Sequence, residues 1–169
     1  LVVPYPVYIR GASIGPRVCA MIKRYGIPPR SGTKYVSRPG IYAILPLGNQ
    51  LLLTHQIAVT AEFQLPGGGI DPGEHPISAL YREVMEETGW RITRPRRVGA
   101  FRRFVYMPEY DLWADKICTV YCADPVRRLG DPTEEGHTDH LVPAALAAEL
   151  VENPGDRAFI LDYLEQAGL

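Results

Sequence analysis

Residues 68–90 read GGIDPGEHPISALYREVMEETGW, and this stretch decides the reading of the whole chain. Glu83, Glu86 and Glu87 are spaced i, i+3, i+4, so on a helix they share one face, with Cβ atoms about 5–6 Å apart. Two unit charges at that distance repel by roughly 3 kcal/mol at the dielectric of a protein surface. Gly89 marks a helix end, which puts Glu86 and Glu87 near the negative pole of the macrodipole as well. A divalent cation removes the conflict, and hard carboxylate oxygens suit Mg²⁺ or Mn²⁺.

The same residues carry a family resemblance. Gly68, Glu74, Arg82, Glu83, Val84, Glu86, Glu87 and Gly89 match the pattern G-x5-E-x7-R-E-U-x-E-E-x-G-U, where U is a bulky aliphatic residue. This resembles the Nudix box. Trp90 departs from it at the last position, and its bulk implies altered packing behind the helix. The resemblance implies an α/β fold, a Nudix-type α/β/α sandwich around a mixed β-sheet. It also implies hydrolysis of a nucleoside diphosphate linked to another group X, by metal-assisted attack of water on phosphorus. A homodimer is a further expectation at family level.

Composition sets outer bounds. A chain of 169 residues is long enough to bury a real core in one domain. A net charge of −1 gives no broad basic field, so an extended nucleic-acid footprint is not indicated. A nucleotide-type small molecule is the expected partner, with an RNA 5′ end as the one nucleic-acid alternative. Cys19, Cys118 and Cys122 form no complete disulfide framework, and Cys118 and Cys122, on one face of a predicted strand, fit small buried hydrophobes in a reduced cytoplasm. The first ten residues, LVVPYPVYIR, do not resemble a signal peptide. Residues 39–61 carry no Asp, Glu, Lys or Arg, but Pro46, Gly48-Asn49-Gln50 and His55-Gln56 interrupt them. Two strands and a turn fit that run better than a membrane span.

Outward from the box, residues 1–37 read as an extension packing on a Nudix domain over 38–169, with a strand near 5–10 and a short helix near 16–25. Residues 41–47 and 50–56 read as a hairpin, and 62–65 as a short strand entering the glycine loop at 66–69. The box helix is predicted over 76–88, with Pro76 at its first position and Ile77, Leu80 and Val84 as its apolar face. Residues 98–106 and 116–122 read as strands joined by a loop. Residues 131–140, DPTEEGHTDH, read as a polar loop. Helices are predicted over 143–151 and 156–166, separated by the Asn153-Pro154-Gly155 breaker.

The resemblance assigns roles within this frame. Glu83, Glu86 and Glu87 are the expected metal ligands, with a backbone carbonyl from the glycine loop at Gly68. Arg82 and Glu74 are the expected salt bridge holding that loop to the helix. An exposed pair of this kind contributes under about 1 kcal/mol, so its role is positioning. The general base is either Glu86 or an acid of the 131–140 loop, Glu134 or Glu135. Arg102, Arg103 and Lys116 are candidates for substrate phosphates. Only one of Arg102 and Arg103 can face the site, because strand neighbours point opposite ways. Tyr106, Tyr110 and Trp113 could stack a base or pack in the core. His137-Thr138-Asp139-His140 fits no zinc spacing and reads as loop surface or satisfied polar contacts.

Two features bear on substrate. A tyrosine downstream of the box is associated in the family with dinucleoside polyphosphates, and a proline with ADP-ribose. Tyr106 and Pro108 offer both, and modified nucleoside triphosphates stay open. A Nudix domain that only senses a nucleotide is the alternative class, but such domains usually lose box acids and this chain has all of them.

Overall fold

The computed structural model describes residues 22–57 and 61–169. In chain order the described strands begin with β1 (Lys23–Arg24), β2 (Tyr35–Ser37), β3 (Gly40–Ile44), β4 (Pro46–Leu47), β5 (Gln50–Gln56), β6 (Glu62–Gln64) and β7 (Gly67–Gly69). Helix α1 (Pro76–Thr88) follows, then β8 (Trp90–Met107), β9 (Leu112–Arg128), β10 (His137–Pro143), α2 (Ala144–Leu150) and α3 (Pro154–Ala167). The larger sheet is mixed. It runs β1-β8-β9-β3-β7, and β2 pairs with β9 in line with β3. The smaller sheet is antiparallel, in the order β10-β5-β4, with β6 also on β5.

Strand β3 shows why helices cover both faces. All five of its residues are buried, as expected of a strand packed on two sides. Ile41 and Ala43 point to α1, where they meet Leu80 and Val84. Tyr42 and Ile44 point the other way, to a cluster with Ala147 of α2 and Ile160 and Leu164 of α3. Leu52 of β5 packs on the first side, and Leu51 and Leu53 on the second. The result is the α/β/α sandwich.

Helix α1 occupies the expected residues. Its apolar face differs in detail: Ala79, Leu80 and Val84 are buried, whereas Ile77 is only half-buried. Four other expectations need correction. The hairpin exists only between β4 and β5, because Gly40–Ile44 belongs to the other sheet. Pro46 cannot donate to a ladder, and there the chain passes between sheets. Gly67–Gly69 is a strand paired with β3, not a loop. A Cβ at Gly67 would lie 2.1 Å from the Ile41 carbonyl oxygen, at a φ of 141°, so only glycine can be this strand. β8 and β9 are much longer than predicted, since register shifts near Arg91, Thr93 and Arg97 break the period of two. Finally, the last four residues of the 131–140 loop are the start of β10, whose polar sequence is held in place by pairing with β5.

The predicted strand near 5–10 lies outside the described residues, as does most of the helix near 16–25. The described end of the latter, Lys23–Arg24, is strand paired with β8. α3 begins two residues before its predicted start, because the Asn153 side chain accepts the Gly155 N–H at 2.9 Å and Pro154 takes the first helical position. Cys118 and Cys122 are free and buried. No described helix is long and apolar enough to cross a membrane.

Candidate active site

Local signals set α1 beside the glycine strand. His75 caps the helix by accepting the Ile77 N–H through Nδ1, and Gly89 ends it in a left-handed turn that donates to the Met85 carbonyl. The carbonyl of Glu86 would be orphaned at this end. It accepts instead from the N–H groups of Thr133 and Glu134, at 2.8 and 3.0 Å. That pair of bonds ties the downstream loop to the box and brings Glu134 to it.

Arg82 organises the acids. Its Nε and Nη2 donate to the two oxygens of Glu74 at 2.9 and 2.7 Å, a bidentate fork. Nη1 donates to Glu83 at 2.7 Å and to Glu86 at 3.1 Å, and Nη2 also reaches the Gly69 carbonyl at 3.2 Å. The hydrogen bond from Arg82 holds the Glu74 carboxyl below its usual range. Glu83 and Glu87 shift the opposite way, Glu87 strongly, because burial disfavours their charged forms. Glu87 is 3% exposed; its Oε2 accepts the Gly67 N–H at 2.9 Å. Gly68 lies against Glu83 so closely that a Cβ there would sit 2.3 Å from Oε2.

Two groups of side chains converge within 4.8 Å: Glu83, Glu86 and Glu134, and Glu87, Glu134 and His137. Carboxylates at such separation repel one another, the more so where Glu83 and Glu87 are buried, and a cation among them removes the conflict. The oxygen-rich donor set therefore fits a divalent metal of the Mg²⁺ or Mn²⁺ type. The residues adjoin a cavity of about 340 Å³, lined also by Lys116, Tyr42, Arg38 and Tyr110. Lys116 donates to the Tyr42 hydroxyl at 2.9 Å, and burial pushes that phenol up to about 12. The Arg38 guanidinium stacks 4.8 Å from the Tyr110 ring centroid, and its Nε is buried without a hydrogen-bond partner.

The remaining predicted residues divide between two strand faces. Arg103 is opposite Lys116 in the β8–β9 ladder and shares its face, but it does not line the cavity. Arg102 is on the other face, bound to Asp115 at 2.8 and 2.6 Å with its guanidinium over Phe104, so it does not line the cavity. Tyr106 follows the same alternation; it hydrogen-bonds Asp111, lies near Trp113, and is absent from the cavity. Glu135 is exposed and joins neither carboxylate group. Trp90 packs on the α1 core, but its indole N–H also donates to Asp139 at 3.1 Å, so its part is polar as well as apolar.

Sequence reasoning did not place His137 and Arg38 at the candidate site, yet both line its cavity. The surface reading of His137 is overturned: its side chain is 3% exposed and its Nε2 is 3.4 Å from Glu87. The clue lay in a strand that only pairing with β5 reveals. Arg38 precedes Pro39 between two strands, a position whose local sequence carries no site signal.

Comparison with known proteins identifies the family to which this fold belongs. The NUDIX domain family model matches residues 36–163. An RNA pyrophosphohydrolase from Helicobacter pylori is 40% identical over 57 residues, 31% of this chain and 37% of that protein. A putative 8-oxo-dGTP diphosphatase from Bacillus subtilis is 29% identical over 110 residues, covering 65% of this chain and 69% of its own length. Thus the matched stretch spans little more than a third of the Helicobacter relative. A NUDIX hydrolase from Nitrosomonas europaea superposes with a TM-score of 0.63 at 20% identity, over 79% of this chain and 90% of that one. A MutT NUDIX hydrolase from Burkholderia pseudomallei gives 0.58 at 20% identity, over 74% and 96%. The family model spans most of the chain, and with the fold and the complete box it establishes that this protein belongs to the Nudix family.

Proposed function

We propose that the protein is a pyrophosphohydrolase that cleaves the anhydride of a nucleoside 5′-polyphosphate or a nucleoside diphosphate linked to X. The observation that carries this is the convergence of Glu83, Glu86 and Glu134 on one point beside a cavity that also presents Lys116 and Arg38. A cleft lined by acids alone would repel a diphosphate; this one pairs a cation site with two basic groups. A bound divalent metal would supply charge neutralisation at phosphate oxygens and acidify water. Glu83, Glu86 and Glu87 are the residues that would hold it, with the peptide of Gly68 alongside.

The rest is the work of the chain. Lys116, fixed by Tyr42, and Arg38, fixed by stacking on Tyr110, are placed to bind phosphate oxygens. Arg82 keeps Glu74, Glu83, Glu86 and the Gly69 carbonyl in register. Glu134 or Glu86 accepts the proton of the attacking water, both carboxylates belonging to the same group. Tyr110 offers a ring to the substrate from the cavity wall. The names of the Helicobacter and Bacillus relatives favour a 5′-triphosphate, carried either by RNA or by a modified nucleotide.

The test is phosphate or pyrophosphate release from a panel with Mg²⁺, with and without EDTA. The panel holds 5′-triphosphorylated RNA, 8-oxo-dGTP, a dinucleoside polyphosphate and ADP-ribose. Turnover of at least one member that EDTA abolishes is expected. Tight binding of one member with turnover of none would replace this reading with a nucleotide-sensing domain.

A further inference from the structure

His137 holds an unexplained polar atom. Its Nδ1 is buried and has no hydrogen-bond partner. The nearest acid to it is Glu134, whose Oε1 is 3.9 Å away, too far for a hydrogen bond. On the other side of the ring, Nε2 is 3.4 Å from Glu87 Oε1. If the ring carries its proton on Nε2, facing Glu87, a lone pair remains on Nδ1, on the side of Glu134. A buried lone pair with nothing to accept from is costly, and Glu134, the acid on that side of the ring, lies too far away to donate to it. A cation satisfies all three groups at once.

We propose that Glu87, Glu134 and His137 form a mixed nitrogen–oxygen position for a divalent cation, distinct in ligand chemistry from the all-oxygen group of Glu83, Glu86 and Glu134. It rests on the hydrolase reading in sharing Glu87 and Glu134 with it. Each ligand is held by the fold. Glu87 is anchored by the Gly67 N–H, and His137 opens β10 opposite Gln56 of β5. The His137 N–H donates to the Glu134 carbonyl at 3.2 Å, so these two ligands belong to one tight turn. Such support is what a precise metal site needs.

The ligand set predicts selectivity. Mg²⁺ prefers oxygen and water, whereas imidazole binds later first-row ions better, with affinity rising from Mn²⁺ to Co²⁺. The position therefore takes Mn²⁺ or Co²⁺ in preference to Mg²⁺, and the all-oxygen group accepts Mg²⁺.

Electron paramagnetic resonance of tag-free, chelator-stripped protein titrated with Mn²⁺ tests this. Wild-type protein is expected to show ¹⁴N coupling from a coordinated imidazole. His137→Gln and His137→Asn should lose that coupling, and their Mn²⁺ Kd at one site should weaken by about 10–100-fold. Their Mg²⁺ Kd should change by less than about twofold. Absence of ¹⁴N coupling in saturated wild-type protein overturns the proposal and needs no variant to fold. So does coupling that survives in both folded variants, as judged by their melting transitions. Mg²⁺-dependent hydrolysis without nitrogen coupling sinks this position and leaves the hydrolase reading standing. Nitrogen coupling without turnover of any nucleotide supports the position and sinks the hydrolase.

Discussion

Arg82 serves three carboxylates and a carbonyl with one guanidinium, and that geometry explains why the box needs arginine and not any cation. The fork on Glu74 locks the side chain, and Nη1 is then aimed between Glu83 and Glu86. Lysine would keep the charge but could not span these acceptors. Arg82→Lys is therefore expected to lower turnover by about 10–100-fold in steady-state kinetics while the melting temperature moves by only a few degrees. Wild-type turnover in that variant would show that charge alone suffices. Among individual residues, those with local spacing were legible in the sequence: Glu74, Arg82 and the three box acids all lie within 14 residues of one another. His137 was not, because its burial comes from a strand partner more than 80 positions away. Nor could residue type separate Glu134 from its neighbour Glu135. The difference is made by two backbone bonds to the carbonyl of Glu86.

Helix α1 was read correctly to the residue because Pro76, the 3.6 period and Gly89 are local signals. Strands β7 and β10 were missed because glycine and polar runs are poor strand formers, and only the ladders to β3 and β5 make them strands. Helix α3 carries a third kind of information at its start. Asp156, 1% exposed, accepts from the Asn153 side chain at 3.1 Å and from the Leu65 N–H at 3.3 Å. It thereby joins α3 to the segment that leads into the glycine strand. Burial raises its carboxyl from 3.8 to about 6. Between those values the folded state binds more protons than the unfolded chain, so this contribution is full below about pH 4 and is lost as pH rises through about 6. Urea denaturation from pH 4 to 7 should show wild-type protein losing roughly 2 kcal/mol relative to Asp156→Asn. A difference between the two that stays flat with pH would remove Asp156 as the cause.

The molecule as a whole assembles its site from distant parts of the chain: the glycine strand, the end of α1, Lys116 in β9 and the turn into β10. The two-sided burial of β3 holds them together, since one face seats α1 and the other packs against α2 and α3. The order of strands and helices, and the sandwich itself, could be anticipated from the box and the breaks between elements. The division into two sheets could not, because it turns on Pro46 and on pairings that no local pattern announces. The same holds for the strand faces beside the cavity: alternation along β8 puts Arg103 on the face of Lys116 and Arg102 and Tyr106 on the other, and none of the three lines the cavity. On this reading the converged carboxylates of α1 carry out anhydride hydrolysis. Single-turnover hydrolysis by Glu86→Gln at saturating Mg²⁺ tests it, on whichever nucleotide the wild-type protein turns over. A fall of at least about 100-fold with an unchanged melting transition is predicted, in line with loss of a group that acts in proton transfer or holds the metal. Near-native turnover by the folded variant would contradict the account.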